Sequence, residues 1–144
     1  MFKKVDQLLA SLGNMRAMER LHVDTFTDEK IQNIKGDLIA ESRDGKIYSR
    51  VEELNCYFYL EVVVLSKLKI KTFKGATLNF TGETNFKLIS DTQEIESDFS
   101  NVSNRFITEI SFNITKEDIE LLKQKNYKKI IFEFKNKSLT FFNV

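Results

Sequence analysis

Residues 105–144 read RFITEISFNITKEDIELLKQKNYKKIIFEFKNKSLTFFNV, and the spacing of their apolar side chains changes twice along the stretch. In residues 105–114, every second side chain can lie on one apolar face, which is the pattern of a β-strand with one buried side. That face consists of Phe106, Thr108, Ile110, Phe112 and Ile114. The pattern therefore predicts a half-buried strand here.

The spacing then becomes helical. Thr115 can cap a helix through its hydroxyl, and Asp118, three residues later, can return a hydrogen bond to the backbone of the capping residue. Lys123 and Lys125 fall near the negative end of the helix dipole, which favours cations. These signals predict a helix near residues 116–125.

Turn signals separate further alternating runs. Alternation resumes at residues 130–134, and a final hairpin is predicted around Asn136-Lys137. Upstream, Asp44-Gly45 lies between two alternating runs, and Asp-Gly in this position is among the strongest local signals for a hairpin.

Other runs complete the predicted sheet. Residues 56–65, CYFYLEVVVL, are apolar on both faces apart from Glu61, which predicts a central strand covered on each side. LKIKTF and TLNFTG, at residues 68–73 and 77–82, flank a glycine-containing turn and predict a second hairpin.

These runs predict an α+β, mainly β, fold class. We expect an antiparallel β-sandwich or a partly open barrel of about eight strands, with an N-terminal helix and one helix near 116–125. Apolar residues at helical spacing predict an amphipathic helix at residues 2–12, and a short capped helix is expected at residues 27–34. The whole chain, 1–144, is expected to be a single domain, with 1–35 as a helical N-terminal segment that packs on the β domain or extends from it.

Composition limits the classes of protein that fit. The chain has 144 residues, 42% of them hydrophobic, which is enough apolar material for one core and argues against disorder. Its formal net charge is +1, so no overall positive field would hold a nucleic acid, and we expect no nucleic-acid partner.

The compartment is inferred from what the N-terminus lacks. Asp6 and Gln7 interrupt the apolar residues there, so a secretory signal is not expected. The longest apolar runs are too short to span a bilayer. We expect a soluble, cytoplasmic protein without a membrane span.

Candidate catalytic residues are few. His22 and Asp24 could orient a nucleophile, but no nucleophile motif accompanies them, and a surface histidine is the simpler interpretation. Cys56 is the only cysteine; no adjacent cation would activate it, so a buried inert thiol is expected. We therefore predict no catalytic residues, no metal site and no cofactor, and hence a protein that is not an enzyme.

Two charged stripes are the candidate interaction surface. The basic stripe has lysines at alternate positions of a predicted strand, and the acidic stripe has carboxylates in a segment of similar length. On separate edges, the stripes would favour contacts between copies or with a partner; as neighbours in one sheet, they would neutralise each other. The stripe residues are Lys67, Lys69, Lys71, Lys74, Glu94, Glu96 and Asp98.

Two functions follow as expectations. The first is a non-enzymatic protein-binding or assembly module that acts through sheet edges, the charged stripes and the N-terminal helix, with a protein partner or with copies of itself. The alternative is a β-barrel protein that binds a small hydrophobic ligand, with the aromatic residues 57–59 lining its cavity.

Overall fold

The computed structural model describes residue 27 and residues 29–144. The predicted helix at residues 2–12, the pair His22 and Asp24, and most of the segment 1–35 lie outside the described residues. Within the predicted short helix at 27–34, residues 29–32 are helical.

The described chain is mostly strand, with one longer helix, α1 (Lys116–Gln124). The strands are β1 (Asp37–Ser42), β2 (Gly45–Leu54), β3 (Tyr57–Ser66), β4 (Lys71–Thr72), β5 (Ala76–Gly82), β6 (Phe86–Ile89), β7 (Ile95–Glu96), β8 (Asp98–Ser100), β9 (Arg105–Ile114), β10 (Tyr127–Phe134) and β11 (Lys137–Asn143). Nine of them form one sheet in the order β6-β5-β10-β11-β1-β2-β3-β9-β8, and β4 pairs with β7 in a separate two-stranded sheet.

The large sheet is antiparallel and curls into a half-barrel, which confirms the predicted mainly β fold class. Its two ends approach each other just beyond β6. There the backbone N–H of Asp91 donates to the carbonyl of Ser111 at 2.8 Å, and Ser90 forms a β-bridge with Phe112 of β9. The right-handed twist of adjacent strands, accumulated across the sheet, is what brings such distant strands together.

The inner face of the sheet holds the hydrophobic core. In β9, Thr108, Ile110, Phe112 and Ile114 are buried while Glu109 is exposed, so the predicted alternation is confirmed from Thr108 onward. Ile107, on the opposite face, is also buried. In the neighbouring strand β3, Leu60 is paired with Phe112 and Val62 with Ile110. Large aromatic side chains from β5, β10 and β11 fill the rest; these are Phe80, Tyr127, Phe132 and Phe141.

Helix α1 is capped as its sequence predicts. The hydroxyl of Thr115 accepts from the N–H of Asp118 at 3.2 Å, and the Asp118 carboxylate accepts from the N–H of Thr115 at 2.9 Å. Ile119 and Leu122 pack against the core cluster. The helices of the described residues are too short or too polar to cross a membrane.

Two predicted hairpins form and one does not. Arg43-Asp44 connects β1 to β2, and Lys135-Asn136 connects β10 to β11. The predicted hairpin of residues 68–73 with 77–82 is wrong, because β4 is only two residues long and pairs with β7.

The partners of the intervening segment explain this difference. The N–H of Ile70 donates to the hydroxyl of Ser97 at 3.1 Å, and the N–H of Ser97 donates to the carbonyl of Ile70 at 2.9 Å. Strand β5 instead forms its hairpin with β6. The predicted turn at residues 74–76 is therefore followed by a strand, β5, as expected, but β5 pairs with the strand after it and not with residues 68–73.

Candidate binding groove

The predicted basic stripe does not lie on one strand. Lys71 belongs to β4, whereas Lys67 and Lys69 lie in the irregular segment that precedes it and Lys74 lies in the loop that follows. All four side chains are exposed.

The acidic stripe lies beside part of the basic one. Glu96 is paired with Lys71 across β4 and β7, and their charged atoms are 3.9 Å apart. Asp98 of β8 lies 3.7 Å from the ammonium group of Lys30. Two of the three carboxylates thus have cations beside them, while Glu94 has no ion pair with another described residue.

A groove opens next to this region. It has a volume of about 620 Å³ and lies where the 73–75 loop, the end of β6 and the β10–β11 turn come together. On β5, Thr77 faces Ile89 of β6 on one side and Glu133 of β10 on the other. The groove therefore gathers residues from Thr72 to Asn136, which are far apart in the chain.

The charges that line the groove are predominantly positive. Lys74, Lys87 and Lys135 come from the loop, from β6 and from the turn, and each is exposed. None of these three lysines has an ion pair with a described residue. The one carboxylate in the lining, that of Glu133, accepts a hydrogen bond from the amide of Asn79 at 2.7 Å.

Two large apolar side chains in the lining are exposed. Phe73 and Ile89 each leave 63% of their surface open to solvent. The ammonium group of Lys71 lies 5.9 Å from the centre of the Phe73 ring, a distance at which a cation is attracted to an aromatic face. The groove thus combines exposed apolar surface with an excess of positive charge among its described lining residues.

A small hydrogen-bond network holds the loop in position. Gly75 has φ 77°, and its N–H donates to the carbonyl of Gln93 at 2.8 Å. A Cβ at Gly75 would lie 2.7 Å from the hydroxyl oxygen of Ser90. That hydroxyl accepts from the N–H of Ala76 at 2.9 Å and donates to the carbonyl of Thr92 at 2.8 Å. The conformation of the loop that contains Phe73 and Lys74 therefore favours glycine at residue 75, because any other side chain would be strained there and would crowd Ser90.

Cys56 lies elsewhere, in the turn between β2 and β3, and is exposed. The prediction of a buried thiol is wrong. The reason is conformational: Asn55 and Cys56 have φ values of 52° and 69°, so the turn places both residues at the tip of the hairpin rather than in β3.

The aromatic residues 57–59 do not line a common interior cavity. Tyr57 is 74% exposed, Phe58 packs against the core cluster, and Tyr59 lies on the same outward face as Tyr57. The next inward residue of β3, Leu60, is 1% exposed. Phe58 therefore lies on the opposite face of β3 from Tyr57 and Tyr59, because successive side chains of a strand point to opposite faces of the sheet.

Among the described residues, no group of three or more His, Cys, Asp or Glu side chains is arranged to hold a metal ion. His22 is outside this part of the chain. Of the predicted interaction residues, only Lys74 lines the groove.

Sequence reasoning did not single out Lys87, Ile89 or Lys135. The available signals were weak: Lys87 and Ile89 occupy alternate positions of a short strand, and Lys135 begins a turn. No linear motif joins them, because the groove forms only when β5, β6 and β10 pair. Comparisons with protein-family models, with curated proteins and with solved structures find no match to this chain.

Proposed function

We propose that this chain is a non-enzymatic protein-binding module and that its groove receives part of a protein partner. The observation that carries the proposal is the coincidence, in one groove, of two exposed apolar side chains and three lysines that form no ion pair with the described part of the chain. Protein-binding sites commonly combine an apolar centre with a polar or charged rim.

The two kinds of residue have different roles in such a site. Removing the apolar surface of Phe73 and Ile89 from water would supply affinity. The lysines, which are exposed, would contribute less affinity but would attract the partner and select its charge. Together, the apolar side chains and the lysines favour a partner that inserts an apolar side chain into the groove and carries acidic residues next to it.

An array of immobilised short peptides of varied composition tests the proposal. Labelled wild-type protein should bind a subset of the peptides, and the variant Phe73→Ser/Ile89→Ser should lose that binding. Leu54→Ser/Val102→Ser is the matched control, because these side chains are 61% and 63% exposed and do not line the groove. Equal binding by all three proteins, or binding by none, would contradict the proposal.

A small amphiphilic ligand is the second candidate. It is favoured by the volume of about 620 Å³, which lies within the usual range of small-molecule sites. Dodecanoate should then raise the melting temperature of the wild-type protein and leave that of Phe73→Ser/Ile89→Ser unchanged. No shift with dodecanoate would remove this candidate.

A further inference from the structure

We infer that the groove binds an extended acidic peptide segment in which an aromatic or branched aliphatic residue is flanked by carboxylates. This inference rests on the proposed function and names the chemical class of the partner. It is carried by the placement of the charges relative to the apolar side chains in the groove.

The number of lysines that have no ion pair within residues 29–144 favours a ligand with several carboxylates over a ligand with one. Lys74, Lys87 and Lys135 lie on three different elements that meet at the groove. Even with the carboxylate of Glu133 in the lining, the three ammonium groups leave more positive charge than a ligand with a single carboxylate can neutralise. A chain of acidic residues offers one carboxylate per residue. Successive side chains of an extended peptide also point in opposite directions, so that acidic and apolar residues can face different walls.

The peptide needs an apolar residue because Phe73 and Ile89 expose apolar surface in the groove. These side chains are exposed in the same groove, one from the loop and one from β6. A purely acidic segment would leave their surface in water and gain little beyond weak, screened ion pairs. A segment with a phenylalanine or an isoleucine between its carboxylates would cover them.

The size of the groove favours a segment over a flat protein face. A volume of about 620 Å³ accommodates a few side chains. The 73–75 loop and the β10–β11 turn also border it, so a partner must enter a concavity.

The chain's own acidic segment is not the expected occupant. Glu96 already lies 3.9 Å from Lys71, and Asp98 lies 3.7 Å from Lys30. Moving either carboxylate into the groove of another copy would break an existing ion pair, and Glu94, which has no ion pair with a described residue, would bring only a single carboxylate. A separate acidic partner incurs no such loss, which is why we assign the groove to one.

Fluorescence polarisation with a labelled Glu-Glu-Phe-Glu-Glu peptide tests the inference. We expect saturable binding by the wild-type protein. Replacing the phenylalanine by serine should weaken binding about tenfold, since a buried aromatic side chain is lost, and a Lys-Lys-Phe-Lys-Lys peptide should not bind. Raising the salt from about 0.1 M to about 1 M shortens the screening length from about 10 Å to about 3 Å and should weaken binding of the acidic peptide.

Two double variants separate the groove from the rest of the basic stripe. Lys87→Glu/Lys135→Glu should reduce the affinity about tenfold or more, whereas Lys67→Glu/Lys69→Glu, with the same change in net charge, should leave it nearly unchanged. All four lysines are exposed, so both variants should retain the wild-type melting temperature. A larger loss in the Lys67/Lys69 variant would overturn the assignment to the groove.

The remaining outcomes distinguish the inference from the proposed function. If the array yields groove-dependent peptides that are neither acidic nor apolar, the inference fails and the proposed function stands. If no peptide binds but dodecanoate does, both fail in favour of a small-ligand site. Concentration-dependent self-association that Lys87→Glu/Lys135→Glu abolishes would replace the separate partner by a second copy of the chain.

Discussion

At the scale of single residues, the turn between β2 and β3 has an uncommon composition. Leu54 and Tyr57 close a two-residue hairpin, and both turn residues, Asn55 and Cys56, have positive φ. This is the geometry of a type I′ turn, in which Asn is well suited to the first position and Gly to the second. Cys56, with φ 69°, therefore occupies a position that disfavours a side chain.

Cys56→Gly should stabilise the protein by about 0.5–1 kcal/mol, because the steric cost of the left-handed conformation exceeds the entropy that glycine loses on folding. Urea unfolding measures the change. Cys56→Ser, which removes the thiol but keeps a Cβ, should leave the stability close to wild type. If the serine and glycine variants gained equally, the thiol rather than the backbone would be responsible.

At the scale of elements, β2 is longer than its neighbour β1. The pairing with β1 reaches only Asp37 opposite Ser49, so residues 50–54 have no strand on that side in the described part of the chain. In an antiparallel pair of strands, hydrogen-bonded residue pairs alternate with pairs that are not hydrogen-bonded. Counting from the closing pair Leu54–Tyr57, the backbone of Glu52 is hydrogen-bonded to β3, whereas the backbone N–H and C=O of Val51 point to the open side.

The side chains along this free edge are consistent with protection against pairing. Arg50 and Glu52 form an ion pair at 2.7 Å, and Glu53 is exposed. Charged residues on an edge strand oppose the addition of another chain, because the new strand would bury them.

Proline substitution tests which backbone groups face the open edge. Val51→Pro removes an N–H that no described strand pairs with, and it should cost about 1 kcal/mol or less. Glu52→Pro removes a ladder hydrogen bond to β3 and should cost about 2 kcal/mol more than Val51→Pro. Thermal and urea unfolding of the two variants give the comparison. Equal losses would mean that the edge is covered.

At the scale of the whole molecule, an aromatic cluster joins β5, β6 and β10. The ring of Phe80 stacks on that of Phe86 at 4.3 Å between centroids and meets the ring of Tyr127 edge-on at 5.0 Å. Tyr127 is 2% exposed, and burial raises the pKa of its phenol above the ordinary value of about 10. The phenol thus becomes harder to ionise when the protein folds.

This shift predicts an alkaline loss of stability. Between the unfolded pKa, about 10, and the higher folded pKa, the unfolded chain releases the Tyr127 proton and the folded chain keeps it, so stability falls as the pH rises. The contribution is fully present below pH 10 and falls by at most about 1.4 kcal/mol per pH unit above it.

Urea unfolding across this pH range should show a shallower alkaline decline in Tyr127→Phe than in the wild type. Tyr57→Phe, at a 74% exposed position, is the control and should follow the wild-type curve. Superimposable declines in the wild type and Tyr127→Phe would refute the link between burial of this phenol and global stability.

The local structure of this chain could be predicted from its amino-acid sequence. The alternation in β9, the capping pair Thr115 and Asp118, and the hairpin turn at Arg43-Asp44 each depend on residues within a few positions of one another. Such signals act through backbone preference and short-range hydrogen bonds, which are the same in any tertiary context. The mainly β fold class follows from them.

The pairing of the strands and the position of the groove could not be predicted from the sequence, because both depend on contacts between distant segments. Residues 68–73 could equally have paired with residues 77–82 along the chain, but the bonds between Ile70 and Ser97 direct β4 to β7. Likewise, Lys87 and Lys135 meet at one groove only because β5 pairs with both β6 and β10. Pairing between distant segments depends on how the whole curled sheet packs. The conformational preferences of neighbouring residues do not specify it.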